Sequence, residues 1–129
     1  MRQDLLRESV LKRLKERGIE IHGRSVFLQG IIFMEETTIP LKLRKIIPYL
    51  KELKKLAREL CLSEHELALL FVYSTDAVDG IVVGVDNVDQ LKASVSATNK
   101  LGEFKRLRRS VSFGDLHVTD PDLIDTRKW

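Results

Sequence analysis

A chain of 129 residues, 43% hydrophobic and 32% charged, fits one soluble globular domain over residues 1–129 with its own core. Lys+Arg 22 against Asp+Glu 19 leaves +3 at pH 7, a balance that calls for no nucleic-acid partner. The single Cys61 excludes an intramolecular disulfide framework, and no apolar run approaches the roughly 20 residues of a membrane span. The charged start, Met1 to Glu8, has no signal-peptide core, so a cytoplasmic protein without a membrane partner is expected.

Residues 4–17 read as an amphipathic helix, with Leu6, Val10, Leu11 and Leu14 on its apolar stripe and Arg7, Lys12, Arg13 and Glu16 facing water. Gly18 supplies a stop, and Ile19 to His22 alternates as a short strand. Ile31 to Met34 is apolar, and the stretch from Glu35 to Pro40 reads as an exposed loop or lid. Pro48 suits the first turn of a helix running to about Leu60, buried through Leu50, Leu53, Ala57 and Leu60. Cys61 falls where a left-handed residue would end that helix. Ser63 and Glu66 have capping-box spacing, with Leu62 and Leu67 as the staple, and Leu67, Ala68, Leu70 and Phe71 form the apolar face that follows.

The most informative segment runs from Asp79 to Leu91. Ile81, Val82 and Val83 form a β-branched run suited to a short buried strand. Gly84 ends it and permits a tight turn or a close ligand, while Asn87 and Gln90 suit the N-cap and N3 positions of a helix. A strand feeding a helix N-terminus in this way is an anion site in principle, because free N–H groups and the helix dipole converge there. The helix from Val88 to about Asn99 is expected to turn Leu91 and Val95 inward. Lys105, Arg106, Arg108 and Arg109 form a basic stretch, Val111 to Phe113 a last strand, and Trp129 an anchor at the end.

The order helix, strand, helices, strand, helix, strand implies an α/β fold with a parallel sheet and crossover helices. A closed eight-stranded barrel of this kind takes about 250 residues, and this chain shows three strands in about half that length.

Four segments resemble the aldo/keto reductase family. Arg24-Ser-Val-Phe-Leu-Gln-Gly-Ile-Ile32 is similar to a family segment of an aromatic residue, Ser-Pro-Leu, then Gly and two apolar residues. Leu56 to Val72 is similar to the helix pair before the family's seventh strand, Ile81 to Leu91 to its cofactor loop, and Asp120 to Trp129 to the C-terminus of some bacterial members. The resemblance implies a partial (β/α)8 TIM barrel, the last three strands with their helices. The family's catalytic Asp, Tyr, Lys and His lie in its earlier half, so none is assigned here and the isolated chain is expected to be inactive as a carbonyl reductase. What it implies for this part is an NADP(H) site. Arg24, Ser25, Val26, Phe27 and Leu28 would lie along the cofactor's ring and phosphates, and Gly84, Val85, Asp86 and Asn87 would approach the adenosine phosphate. Gln90 would stand near the adenine ribose. Arg24 takes the place of the aromatic, Val26 of the proline, and Ser94 of an adenine-contacting Asn; Gly84 and Gln90 stand where many members have Lys and Arg. A half barrel leaves sheet edges open, so a homodimer or a complementing N-terminal half-barrel chain is an expected partner. A non-catalytic interaction module using the basic stretch is the alternative.

The remaining reactive residues carry plainer readings. His22, His65 and His117 lack metal-ligand spacing, and His65 is expected to be exposed in the first turn of its helix. Cys61 has no histidine partner in view and reads as inert, and the basic stretch reads as a solvated face. Tyr49 and Tyr73 fall in predicted helices, away from strand ends.

Overall fold

The structure, a computed structural model, describes residues 8–113 and 116–125. Helix α1 spans Glu8–Glu16, within the expected range; Leu6 lies outside the described residues. Leu11 and Leu14 are half-buried, but Val10 faces solvent instead of joining their stripe. Gly18 turns left-handed at φ 71, and the Ile19 N–H returns to the Leu14 carbonyl. That bond closes the helix end and keeps Ile19 out of the sheet, so the expected strand from Ile19 is replaced by a later one, β1, His22–Arg24.

Strand β1 pairs in parallel with β2, Gly80–Val82, with His22 opposite Gly80 and Arg24 opposite Val82. Asp79 pins this register. Its N–H donates to the Ile21 carbonyl, and its carboxylate accepts from the Ile21 N–H at 2.8 Å and from Lys15 of α1. Gly23 is required by packing, since a Cβ there would stand 2.7 Å from Val72 Cγ1.

Between the strands the chain makes three 3-10 segments, Leu28–Phe33, Glu36–Thr38 and Leu41–Ile46, then helices α2, Ile47–Glu59, and α3, Glu64–Tyr73. The expected lid around Glu35 to Pro40 is held down, because Ile39 is buried within it and Ile31, Ile32, Leu43 and Ile46 are buried on either side. Helix α2 has a proline in its first turn and buries Leu50, Leu53 and Ala57. Cys61 is left-handed at φ 53, as its position demanded. The capping box forms: Ser63 Oγ accepts from the Glu66 N–H while the Glu66 carboxylate accepts from the Ser63 N–H. Helix α3 buries five consecutive residues, Leu67 to Phe71, because it touches α2, β2 and the two helices that follow.

Those helices are α4, Val88–Thr98, and α5, Leu101–Leu107; a short α6, Pro121–Ile124, closes the described chain. Two expectations fail here. Ser94 and Ala97 are the buried residues of α4, and Leu91 and Val95 are exposed. Small residues let α4 lie close on α3, which leaves Leu91 and Val95 at the rim of that contact, open to solvent. The run Val111 to Phe113 is irregular, so the sheet has two strands among the described residues rather than three. Phe113 instead inserts its ring beside Phe71 and Phe104, at 5.0 and 6.2 Å between centroids. Nor is β2 buried throughout: Ile81 is half-covered and Val82 exposed. Trp129 lies outside the described residues. No described helix is long and apolar enough to cross a membrane.

Candidate functional site

Both strands run in the same direction, so the segments leaving them emerge at one end of the sheet. In open and closed α/β sheets that carboxyl end is where ligands bind. Here the two exits enclose a cleft of about 670 Å3, lined from one side by Arg24 to Phe27 and from the other by Val82 to Asp86 and Gln90. The volume lies within the range of small-molecule and cofactor sites.

The exit from β1 is strained. Ser25, Leu28 and Gln29 all hold positive φ, at 56, 48 and 56°, before Gly30 at 81°. A left-handed L-residue costs roughly 1–2 kcal/mol, and such outliers gather where a backbone must present groups to a ligand. Two short bonds, Leu28 N–H to the Ser25 carbonyl and Gly30 N–H to the Phe27 carbonyl, hold the coil. Val26 anchors it in the core, and Leu28 turns toward the core as well, away from the cleft.

The exit from β2 is ordered by its helix cap. Asn87 Oδ1 accepts from the Gln90 N–H at 2.9 Å. Gln90 returns a bond, though to the Asp86 N–H at 2.8 Å, one residue before the position a capping box would use. Gln90 is thereby oriented against the turn, and Asn87 serves the helix rather than the cleft wall. Gly84 has no positive φ, and a Cβ added there would meet nothing within 4 Å, so the turn itself does not demand glycine. Its bare backbone leaves that wall of the cleft open.

Eight of the ten expected site residues thus line one cleft: Arg24, Ser25, Val26, Phe27, Gly84, Val85, Asp86 and Gln90. Leu28 and Asn87 stand outside it. Sequence reasoning missed Phe33 and His65, which complete an aromatic wall with Phe27. The ring centroids of His65 lie 4.6 Å from Phe27 and 6.0 Å from Phe33, and Phe27 lies 5.4 Å from Phe33. His65 is therefore not the exposed first-turn residue expected. Its Nε2 is 3.0 Å from Ser94 Oγ, tying α3 to α4. Burial pushes the imidazole below its ordinary pKa, against the opposing pull of Glu66. Only the three-dimensional meeting of α3 with the β1 exit could have revealed this residue. Among the described residues no group of three His, Cys, Asp or Glu converges as a metal site.

The family model for the aldo/keto reductases matches residues 3–106. The chain belongs to the aldo/keto reductase family. The match takes in α1, both strands, α2 to α4 and most of α5, and so the entire cleft. No curated protein and no solved structure matches this aldo/keto reductase chain. As a family, these are oxidoreductases that generally bind NADP(H).

Proposed function

We propose that the chain is a cytoplasmic C-terminal portion of an aldo/keto reductase, a partial (β/α)8 barrel whose cleft binds NADP(H). The observation that carries this reading is the meeting of the two strand exits, far apart in sequence, at the carboxyl end of a parallel pair. The residues fit a dinucleotide in size and chemistry. Arg24 offers a guanidinium for a phosphate or a ring face, Ser25 a hydroxyl and Gln90 an amide, and the backbone around Gly84 is unobstructed. Bound there, the cofactor would supply the hydride of the family's reaction.

The test is a thermal melt of the purified chain with and without NADPH. Saturation at about a hundred times Kd stabilises a binding-competent fold by roughly 2.7 kcal/mol, a clear rise in Tm. A cooperative melt that NADPH leaves unmoved would overturn the cofactor reading.

The chain by itself is expected not to reduce aldehydes. Tyr49 lies in α2 and Tyr73 ends α3, so neither stands at a strand's carboxyl end where a proton donor belongs. Substantial turnover by pure protein would refute this.

A partner follows from the bare side of the fold. Strand β2 pairs on one edge alone among the described residues, and Ile81, Val83, Leu91 and Val95 line an open apolar depression beside it. A second copy or a complementing N-terminal half-barrel chain would cover this face by adding strands. Sedimentation tests the first: a dimer of pure chain supports self-assembly, and a monomer at all concentrations overturns it. The interaction-module alternative has less support, since Lys105 pairs with Asp76 and Arg108 is bonded internally.

A further inference from the structure

The polar groups of the cleft fit a phosphate-bearing ligand, but its fixed charges alone do not balance one. Among the described lining residues Arg24 is the one permanent cation, and Asp86 sets a carboxylate against it. The net charge of the wall is zero, whereas a dinucleotide's pyrophosphate carries two negative charges. His65 is the remaining lining group that can become positive. We propose that His65 is the second cation of this cleft, taking up one proton from solvent when a phosphate-bearing ligand binds and pairing with that phosphate. This rests on the dinucleotide reading above and adds to it a residue and a proton.

The surroundings of His65 allow both protonation states. Ser94 Oγ, buried on α4, can donate to a neutral ring nitrogen or accept from a protonated one. The Leu28–Phe33 segment brings two aromatic contacts through Phe33 and its neighbour Phe27, and no charge. From the β1 exit comes Arg24, and from the turn before α4 come Asp86 and the neutral Gln90. On its own helix Glu66 is engaged by Lys100 at 2.7 Å and by Ser63, so its charge is largely answered elsewhere. Without ligand, burial among the aromatic rings favours the neutral imidazole. An anion in the cleft reverses that preference, because the imidazolium then gains a charge partner in a partly desolvated place. By linkage, whatever raises the His65 proton affinity must itself bind more tightly as pH falls.

The probe is NAD+, whose pyrophosphate diester does not change charge across this range, measured by calorimetry at about pH 5.5 and pH 8. We expect roughly tenfold tighter binding at the lower pH, with net proton uptake seen as a dependence on buffer ionisation heat. His65→Gln, which keeps a polar group for Ser94, should bind equally at both values. In the unaltered chain, the His65 ring proton followed by NMR should titrate at higher pH once NAD+ is present, a readout that needs no variant. Binding of equal strength at both pH values, or a His65 titration that NAD+ leaves in place, overturns the proposal while sparing the dinucleotide reading. Absence of NAD+ and NADPH binding at either pH overturns both.

Discussion

The two ends of the parallel pair make an instructive contrast. The carboxyl end holds the cleft of about 670 Å3, with one arginine and one aspartate in its lining. The amino end holds a larger depression of about 840 Å3, lined by Lys12, Lys15, Lys105, Arg108 and Arg109 with a single acid, Asp76. By charge alone the second is the anion site. Three of its five cations, however, are tied to neighbours. Arg108 Nη1 donates to the Phe71 carbonyl, Ser74 Oγ and Thr75 Oγ1, and its guanidinium lies 4.6 Å from the Phe71 ring centroid. Lys105 pairs with Asp76 and Lys15 with Asp79. At the carboxyl end the Arg24 guanidinium and the Ser25 hydroxyl line the cleft beside the open backbone at Gly84. Availability, rather than the number of charges, separates a site from a strut.

The contrast breaks most visibly at Arg108. Arg108→Ala should lower unfolding stability by about 2–3 kcal/mol in urea titration, because it removes the hydrogen bonds to Phe71 and Ser74 at the end of α3 together with the contact on the Phe71 ring. Its effect on dinucleotide affinity should be negligible; a large loss of affinity with intact stability would move the site to the amino end. Arg24→Ala is the mirror experiment. Affinity for NADPH should fall about tenfold, the worth of one charge-assisted contact, with Tm of the free chain nearly unchanged.

Asn87→Ala should cost about 1 kcal/mol by removing the α4 cap and should loosen the cleft wall as well, so stability and affinity fall together. Lys105→Gln touches an exposed, solvent-screened pair and should leave the urea midpoint essentially unmoved. A larger effect would show that the amino-end charges act as a network.

The pH dependence of stability sharpens the same picture at the smallest scale. His65 has its folded pKa below 6.5, so the unfolded chain binds the proton more readily. Its contribution is complete above 6.5 and is lost as pH falls from there through the folded value. Burial alone would raise the Glu66 pKa, but Lys100 and the Ser63 cap hold it below 4.5. That contribution is present above 4.5 and disappears as pH falls through the folded value. His65→Gln should abolish the upper window and leave the lower one, as read from urea midpoints across the range.

Local features were legible wherever neighbouring residues decide the outcome. The Ser63–Glu66 box, the proline in the first turn of α2, the left-handed Gly18 and Cys61, and the Asn87 cap all depend on atoms within a few positions of one another. The two strands stand within a few residues of their expected places. Errors arise where a remote partner decides. Leu91 and Val95 belong inward by the rule that apolar residues are buried, yet α3 accepts the small residues Ser94 and Ala97. Val111 to Phe113 has strand composition, but Phe113 finds more contact between two rings than an edge strand would give it.

The same division holds for the site. The amino-acid sequence by itself determined that two glycine-bearing strand exits exist, that one of them leads into a capped helix, and that both carry aldo/keto reductase character. Only the tertiary structure decided that the exits share one cleft, that Leu28 leaves it for the core, and that Phe33 and His65 enter it. It also decided that Arg108 of the basic stretch is tied into the end of α3. Caps and turns are written in hydrogen bonds a few residues long, whereas a cleft is made by elements that meet only after the core between them has packed.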